Sequence, residues 1–495
     1  MHALPNLFDS AAARSLDARA CALQADGGWS LMAAAGGSAW QCALQHWPQA
    51  RQLCVVVGNG NNGGDGWVLA TLALQAGRQV QVVTLPGDGP GTALAARAAA
   101  GFAAAGGCAT VFEGALPAAD LLVDALAGLG LRGALTGPAE AAAKALNAHP
   151  APVLALDVPS GIDADRGALP GTAVQAARTL QFIVAHRGLY TGDGLAHAGA
   201  LQLAPLALPA AAWGDIAPAA QWWRCERLGA LLPPRPLNAH KGTSGHVLCV
   251  GGNHGSGGAL LLAAHAALRA GAGLTSLVTR NVHVSAAIAR LPEAMCHGVE
   301  DGPVPAPLLR RASVLAIGPG LGQDDWAQGL WRQARDSSTP LVVDADALNL
   351  LATEPCPLHD AVLTPHPGEA ARLLDCTTRA VQQDRFAAAG ALAARFAAVV
   401  VLKGAGTIVA APGRPPAVIG AGNPGMAVGG MGDLLTGVIA ALRAQGLPAF
   451  EAAAGGALLH GLAGDAAAAD GARGLLPTDL LAPLRRLCNP DLPHA

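Results

Sequence analysis

The chain has 495 residues, more than one hydrophobic core usually holds, so we expect at least two domains. It is 52% hydrophobic and 13% charged, a composition that supports a core of ordinary size and excludes global disorder. The formal net charge of −3 provides no electrostatic footprint for nucleic acid.

The ten cysteines are spread along the chain, and none of them forms a Cys-x-x-Cys pair. We therefore expect small buried thiols in a reducing compartment. Residues 1–20 include four charged side chains and lack the apolar run of a signal peptide. These features predict a cytoplasmic protein that has no membrane partner.

The first half opens with a mixed apolar and polar segment, residues 10–47, which predicts one or two helices. The β-branched run at 53–57 predicts a buried strand, which leads through a glycine-rich turn at 58–66 into a helix at 67–76. This order of elements is typical of a phosphate-binding site. No acid ends the second predicted strand, at 80–85, which argues against a dinucleotide-dependent dehydrogenase.

Oxygen-bearing side chains follow three predicted strands in this half. Asn61, Asn62 and Asp65 lie in the glycine-rich turn, where their oxygens suit a hard cation or a ligand hydroxyl; a plain asparagine turn is the alternative. Asp124 and Asp157 each end a later apolar run. Because ligands of open α/β sheets bind beyond the carboxyl ends of the strands, we expect the three acids to face one crevice.

Three motifs contain these residues: Asn-Asn-Gly-Gly-Asp-Gly at 61–66, Val-Asp-Ala at 123–125 and Asp-Val-Pro-Ser-Gly at 157–161. Together they resemble the NAD(P)H-hydrate epimerase domain over roughly the first 215 residues. The resemblance implies a Rossmann-like three-layer fold in which Asp157 acts as acid or base. It implies a potassium ion held by Asn62, Asp124 and Ser160. It also implies that the hydrated nicotinamide nucleotide binds to Asn61, Asn62, Gly63, Gly64, Asp65, Gly128, Leu129, Gly130, Leu131, Arg132, Gly133, Ala134 and Asp157.

An Ala- and Pro-rich stretch at 207–220 lacks clear periodicity, and we place the domain boundary there, which gives domains 1–215 and 222–490. After it, apolar runs again alternate with helical segments. This alternation predicts a mainly parallel sheet with helices on both faces. Strands are predicted at 246–250, 314–317, 341–343, 361–363 and 399–402.

Several residues at these strand ends allow two interpretations. Lys403 could hold a nucleotide phosphate or be a solvated charge, and His366 could reach a ligand or simply stand in a rigid turn between two prolines. Asp344 and Asp346 could orient magnesium or cap a helix. The residues alone leave these alternatives open.

A glycine-rich segment at 422–432 precedes Asp433 and an apolar run that predicts a buried helix. We expect residues 430–432 to start this helix, where free N–H groups and the helix dipole favour an anion. Asp433 would then place a carboxylate beside the anion, within reach of an acceptor hydroxyl. The alternative is that Asp433 is an ordinary N-cap residue.

The second half contains six short motifs: His-Lys-Gly at 240–242, Gly-Pro-Gly-Leu-Gly at 318–322, Asp-Ala-Asp-Ala-Leu at 344–348, Thr-Pro-His-Pro-Gly-Glu at 364–369, Lys-Gly at 403–404 and Gly-Gly-Met-Gly-Asp at 429–433. In this combination, the chain from about residue 222 to residue 480 resembles the ADP/ATP-dependent NAD(P)H-hydrate dehydratases. It implies a ribokinase-like fold, catalysis by Asp433, and magnesium with ADP or ATP as co-substrate. The implied substrate contacts are Ala259, Gly322, His366 and Asp433, and the implied nucleotide contacts are Lys403, Gly404, Ala405, Gly406, Thr407 and Gly432.

Together the two resemblances imply one bifunctional enzyme that repairs hydrated nicotinamide nucleotides. The first half would interconvert the R and S epimers of NADHX and NADPHX. The second would dehydrate the S form with ADP or ATP, by phosphorylating the C6 hydroxyl and eliminating phosphate. The alternative is a ribokinase-like vitamin or sugar kinase fused to a non-catalytic nucleotide-binding domain. We expect a homo-oligomer that binds no nucleic acid.

Overall fold

The computed structural model describes residues 6–87, 89–130 and 133–490. They form two compact units, residues 6–220 and residues 221–490. The functional domain limits of 1–215 and 222–490 remain predictions. Within the described ranges, no helix combines the length and the apolar character that crossing a membrane requires.

The amino-terminal unit alternates strands with helices. Its strands are β1 (Asn6–Phe8), β2 (Gln52–Val57), β3 (Gln79–Thr84), β4 (Ala109–Val111), β5 (Leu121–Ala125), β6 (Val153–Leu156), β7 (Arg178–Phe182), β8 (Ala185–His186) and β9 (Ala200–Ala204). Its helices are α1 (Ser10–Ala22), α2 (Trp29–His46), α3 (Asn61–Gln75), α4 (Ala93–Ala104), α5 (Gly137–Ala148), α6 (Gly192–Ala198) and α7 (Ala210–Trp213). The segment predicted to hold one or two helices thus contains α1 and α2.

A parallel sheet of this unit has the strand order β4-β3-β2-β5-β6-β7-β9. The chain order reverses between β2 and β5, as it does in Rossmann folds, and ligands bind beyond the carboxyl ends of strands at such a reversal. All five residues of β5 are buried, as expected for a parallel strand covered on both faces. The predicted α/β class is therefore confirmed.

The glycine-rich turn predicted at 58–66 is shorter than expected. Helix α3 begins at Asn61, after an extended Gly60 that serves as its N-cap residue. A Cβ on Gly63 would lie only 2.0 Å from the carbonyl oxygen of Gly58, and one on Gly64 would lie 2.4 Å from Cε of Met32. These glycines permit close packing at the start of α3. In the sequence, glycines with this packing role look the same as glycines in a loop.

The carboxy-terminal unit also alternates strands with helices. Its strands are β10 (Ala220–Trp223), β11 (His246–Val250), β12 (Leu274–Thr279), β13 (Met295–Gly298), β14 (Val314–Ile317), β15 (Leu341–Val343), β16 (Ala361–Leu363), β17 (Val399–Leu402), β18 (Ile408–Ala410) and β19 (Ala417–Ile419). Its helices are α8 (Leu228–Leu231), α9 (Gly257–Arg269), α10 (Asn281–Arg290), α11 (Ala306–Arg311), α12 (Asp325–Arg335), α13 (Ala345–Thr353), α14 (Pro367–Leu374), α15 (Thr378–Gln383), α16 (Arg385–Phe396), α17 (Met431–Ala444), α18 (Ala449–Ala467) and α19 (Leu481–Leu487).

The strands of this unit are ordered β13-β12-β11-β14-β15-β16-β17-β18-β19-β10. Neighbours are parallel except at β17–β18 and β18–β19, which are antiparallel. The predicted, mainly parallel sheet is therefore confirmed. Helix α17 packs against α9 so closely that a Cβ on Gly437 would lie 1.9 Å from the carbonyl oxygen of Ala263. The absence of a side chain at Gly437 therefore permits the close approach of these two helices.

Candidate functional site

A cavity of about 620 Å³ opens in the amino-terminal unit where the strand order reverses. The loops that follow β2 and β5 approach closely there, because a Cβ on Gly58 would lie 2.0 Å from the carbonyl oxygen of Leu126. The cavity brings together residues that the sequence placed in one site. They are Asn61, Asn62, Asp65, Gly128, Leu129, Gly130 and Asp157.

Asp157 directly follows β6 and adopts a left-handed backbone conformation with φ of 66°. Its Oδ1 accepts a hydrogen bond from Nε2 of His186 at 2.8 Å and a longer one from the Phe182 N–H at 3.4 Å. Its Oδ2 lies only 3.0 Å from the position that a Cβ on Gly128 would occupy. One carboxylate oxygen is thus anchored, and the other faces the Gly128 loop that lines the cavity.

Two further carboxyl groups line the same cavity, those of Asp17 on α1 and Asp65 on α3. Burial and the charge of Asp157 raise the pKa of Asp17. Burial, followed by the charges of Asp157 and Asp17, raises the pKa of Asp65 well above its ordinary value. The cavity therefore contains acidic groups that bind protons more tightly than free carboxylates do, as proton transfer near neutral pH requires.

A buried polar centre lies beneath the cavity at the end of β5. The carboxylate of Asp124 accepts hydrogen bonds from the Ser160 hydroxyl at 2.7 Å and from the Ser160 N–H at 2.8 Å. Burial raises the pKa of Asp124 to about 6. The side-chain oxygen and nitrogen of Asn62 are buried and have no hydrogen-bond partner among the described residues. Such unpartnered amide groups are rare in proteins, so the set fits a bound cation with oxygen ligands.

The remaining residues implied for hydrate binding are placed differently. Gly63 and Gly64 face packing contacts with Gly58 and Met32. Gly133 and Ala134 are exposed. Leu131 and Arg132 lie outside the described residues. Sequence reasoning missed His186 and Asp17, since neither belongs to a recognisable motif and only the fold brings them to Asp157.

The second site lies where β15, β16 and β17 end and α17 begins. Asp344 follows β15 and is almost fully buried, with 1% of its side chain exposed. Its carboxylate accepts hydrogen bonds from the Lys403 ammonium, the Thr364 hydroxyl and the Thr436 hydroxyl, each at 2.8 Å. Burial alone would raise the pKa of Asp344, but the Lys403 ammonium and these hydrogen bonds hold it below its usual range.

The sequence left open whether the Asp344 side chain caps a helix, and these contacts show that it does not. Both oxygens of Asp344 are occupied by protein donors, and its side chain does not cap the following helix α13. Asp346 accepts the N–H of Gly322 at 2.8 Å through Oδ2 and thereby holds the loop after β14. Ala259 on α9 lies beside the same loop, since a Cβ on Gly320 would lie 3.3 Å from the Ala259 Cβ.

Helix α17 begins at Met431, with Gly430 as a left-handed N-cap residue that offers no side-chain cap. The expected position of residues 430–432 at the helix start is thus confirmed, and the alternative that Asp433 is the N-cap is wrong. A Cβ on Gly432 would lie 3.2 Å from Nζ of Lys403. Free N–H groups of the first helical turn and an ammonium therefore lie together, which favours an anion.

Asp433 lies in the first turn of α17 beside this anion-binding region. Burial and the charge of Asp344 raise the pKa of Asp433 to about 6, although the Lys403 ammonium opposes them. The carboxylate is thus poised to exchange a proton near neutral pH, as a general base must be.

His366 and Glu369 lie at the end of β16, close to Lys403. The Nδ1 of His366 accepts the N–H groups of Gly368 at 2.9 Å and Glu369 at 3.3 Å, so the ring caps α14. The Nε2 of His366 lies 3.5 Å from Oε1 of Glu369, and about half of the side chain, 53%, remains exposed, so a ligand can still contact the ring. Burial and the Lys403 charge lower the pKa of His366, so the ring is neutral near pH 7.

The segment 403–407 forms a tight turn between β17 and β18. The Thr407 hydroxyl donates to the Gly404 carbonyl at 3.0 Å. Beneath the turn, the buried Arg385 donates through Nη2 to the carbonyls of Leu402 and Lys403, each at 3.2 Å. Burial lowers the pKa of Arg385 to about 10, so it stays charged and supports the turn. The implied nucleotide contacts Lys403, Gly404, Ala405, Gly406, Thr407 and Gly432 belong to this turn and the adjacent helix start.

Comparison with known proteins gives matches to both halves. A family model described as the YjeF-related protein N-terminus matches residues 29–188, and one described as NAD(P)H-hydrate dehydratase matches residues 247–486. Over 464 residues, 93% of this chain and 95% of the relative, the chain is 44% identical to the bifunctional NAD(P)H-hydrate repair enzyme Nnr of Coxiella burnetii. It is 42% identical to the corresponding Escherichia coli K12 enzyme over 469 residues, which cover 94% and 90% of the two chains.

A solved ribokinase-like superfamily protein from Enterococcus faecalis V583 is also similar, with 32% identity and a TM-score of 0.51. The match covers 55% of this chain and 96% of that structure. The predicted ribokinase-like fold is therefore confirmed.

Proposed function

Because the chain belongs to the family of bifunctional NAD(P)H-hydrate repair enzymes, we propose that its two units perform the two repair steps at the two sites described above. The amino-terminal site interconverts the R and S hydrates NADHX and NADPHX. The carboxy-terminal site dehydrates the S form with ADP or ATP. The proposal rests on one observation, that each site contains a carboxylate from a family motif: Asp157 lines the cavity, and Asp433 lies in the first turn of α17.

Epimerisation at C6 requires the hydroxyl to leave and to return on the opposite face of the ring. In our proposal a carboxyl group protonates the departing hydroxyl, which leaves as water, and the ring nitrogen's lone pair stabilises the resulting cation. A carboxylate then takes one proton from the incoming water, which restores the neutral hydrate. Asp157 and Asp65 can share this proton, since both line the cavity and the charge of Asp157 helps to raise the pKa of Asp65.

We propose that a potassium ion binds to Asn62, Asp124 and Ser160. The unpartnered amide of Asn62 and the fully buried carboxylate of Asp124 support this assignment. When bound, the ion would supply a positive charge that keeps Asp124 ionised. Asp124 and Ser160 themselves tie the loop after β5 to the loop after β6, since Ser160 also accepts the Ala127 N–H at 2.9 Å.

Potassium is expected to raise the temperature at which the amino-terminal unit unfolds, because an ion that binds only the folded state stabilises it by mass action. Differential scanning calorimetry in potassium or tetramethylammonium chloride at equal ionic strength measures this shift. Asp124→Asn should lose the shift. The matched control Asp193→Asn changes an exposed carboxylate and should keep it. Equal unfolding temperatures in both salts would contradict the site.

For dehydration, we propose that Asp433 takes the proton of the C6 hydroxyl while the terminal phosphoryl group of ADP moves to that oxygen. AMP leaves, and the phosphorylated hydrate then loses phosphate with help from the ring nitrogen's lone pair. Release of a C5 proton restores NAD(P)H. The Lys403 ammonium and the free N–H groups of α17 stabilise the transferring group; donors of this kind contribute about 3–4 kcal/mol each.

We propose that magnesium accompanies the nucleotide in this step. Magnesium is usually held by substrate phosphates and water together with one or two carboxylates, so it needs no protein cage. The described residues contain no group of three or more His, Cys, Asp or Glu side chains that could hold a metal. Asp346 is the carboxylate that we assign to help, because protein donors engage both oxygens of Asp344, whereas Asp433 serves as the base. Bound to the phosphates, magnesium would neutralise part of their charge.

The kcat/KM of dehydration is expected to fall as the pH drops through about 6, the value to which burial raises the pKa of Asp433. Above that pH the carboxylate is ionised and can accept a proton; below it the rate should fall about tenfold per pH unit. Initial rates with S-NADHX measure this limb. ADP binding, measured by calorimetry over the same range, serves as the control. If kcat/KM stays constant down to about one pH unit below that value, Asp433 is not the base.

The kinase alternative predicts a different product from the same assay. The chain is incubated with ADP, magnesium and hydrated NADH. Repair returns the absorbance of NADH and releases AMP and phosphate in equal amounts. A stable phosphorylated product without NADH would favour a kinase. The expectations of a homo-oligomer and of a cytoplasmic location also belong to this proposal, and light scattering and cell fractionation test them.

A further inference from the structure

His186 lies directly behind Asp157 and is not part of any motif singled out in the sequence. Its side chain is almost fully buried, with 1% exposed, and its Nε2 lies 2.8 Å from Oδ1 of Asp157. It forms the end of the short strand β8, 29 residues away along the chain. A buried histidine that contacts an acid–base carboxylate through one ring nitrogen needs a physical explanation.

The surroundings of the ring determine its tautomer. The Nδ1 atom is buried and has no hydrogen-bond partner among the described residues. A proton on Nδ1 would be a buried N–H group without a partner, which is costly. The single ring proton is then on Nε2 and is donated to Asp157.

The backbone of His186 is also fixed. Its N–H donates to Oε1 of Gln181 at 2.7 Å, and Nε2 of Gln181 donates to the Tyr190 hydroxyl at 3.0 Å. Gln181 lies on β7, the strand that pairs with β6, which ends beside Asp157. The histidine is therefore attached to the sheet and not to a free loop.

This support acts on one oxygen of Asp157 only. With Oδ1 held by His186, the carboxylate plane is fixed and Oδ2 faces the Gly128 loop and the cavity. The charge of Asp157 raises the pKa of Asp17 and Asp65, but these acidic groups cannot form an ion pair with it. The cationic Arg14 also lines the cavity, but it donates to the Leu129 carbonyl and the Ser10 hydroxyl. The His186 donor is thus the side-chain contact that sets the direction of Oδ2.

We propose that His186 is a positioning residue of the epimerase site, which fixes the Asp157 carboxylate so that Oδ2 meets the C6 hydroxyl. It transfers no proton itself. The inference rests on the role proposed above for Asp157. It explains why a histidine is buried at this position, and it predicts an effect on the chemical step and not on substrate binding.

The test uses the full chain without ADP, so that dehydration cannot proceed and epimerisation is followed by chromatographic separation of the R and S hydrates. His186→Leu should lower kcat about 10- to 100-fold, the range for loss of a hydrogen bond to a charged group, with little change in KM. His186→Gln should recover most of kcat, because its amide N–H can donate from a similar place. His246→Leu is a matched control, since that buried histidine also has one partnered ring nitrogen but lies in the other unit.

Each outcome either supports or overturns the positioning role of His186. Wild-type kcat in His186→Leu, or an equal loss in the Leu and Gln variants with a raised KM, would overturn the positioning role. Asp157→Asn, measured in parallel, separates this failure from a failure of the proposed function. If Asp157→Asn is slow and His186→Leu is not, only the His186 inference falls. If Asp157→Asn is as fast as wild type, the role of Asp157 falls and the inference with it.

Discussion

Asp433→Asn is expected to abolish dehydration of S-NADHX while ADP still binds and the R and S hydrates still interconvert. The substitution keeps the shape of the side chain but removes the base that accepts the hydroxyl proton. A positioned general base contributes about 10²–10⁴-fold, so the loss in kcat should reach this range. Recovery of NADH absorbance measures turnover, and calorimetry measures ADP binding.

The design of this experiment separates catalysis from binding. Asp470→Asn removes an exposed carboxylate from the same unit and should leave all three properties unchanged. Epimerisation by the same chain shows that the preparation is active. Wild-type turnover in Asp433→Asn would remove this carboxylate from the mechanism. Loss of ADP affinity together with turnover would make it a binding residue instead.

Asp344 and Asp433 both lie near Lys403, but the fold gives one a structural role and the other a role in proton transfer. Asp344 receives the Lys403 hydrogen bond at 2.8 Å, and its pKa stays below the usual range. Asp433 senses the same ammonium only at longer range, and burial with the charge of Asp344 raises its pKa to about 6. One acid therefore remains an ionised structural partner, and the other can exchange a proton. Such divergence between neighbouring acids is typical of acid–base sites.

The sequence predicted the elements that carry these sites well. The predicted strand at 246–250 matches β11 (His246–Val250), and 314–317 matches β14 (Val314–Ile317). Short apolar runs that end in glycine are clear signals, because strands of a parallel sheet are buried on both faces. The start of α17 was predictable for a similar reason, since glycines precede a long apolar run.

The contacts within the sites could not be predicted from local patterns. Lys403 and Asp344 lie 59 residues apart and meet only because β15, β16 and β17 are neighbours in the sheet. His186 and Asp157 meet because β7 pairs with β6. Strand order sets these distances, and a single sequence carries little information about it. The early start of α3 was missed because its glycines look like a turn.

Asp157→Asn is expected to slow interconversion of the R and S hydrates by about 10²–10⁴-fold, the contribution of a positioned acid or base. The asparagine can still accept the His186 hydrogen bond through its side-chain oxygen, so the backbone at this left-handed position should persist. The rate is measured without ADP by separating the epimers. Dehydration of pure S-NADHX with ADP should keep its wild-type rate.

The choice of asparagine makes this result informative, because it changes the acid–base chemistry but not the volume of the side chain. Asp65 remains in the cavity with its raised pKa. If Asp65 alone could supply and accept the proton, epimerisation would continue at nearly the wild-type rate in Asp157→Asn and fall in Asp65→Asn. The reverse pattern assigns the chemistry to Asp157, whose Oδ2 is the carboxylate oxygen that faces the Gly128 loop. Comparable losses in both variants, with Asp193→Asn unchanged, would show that the two acids share the proton.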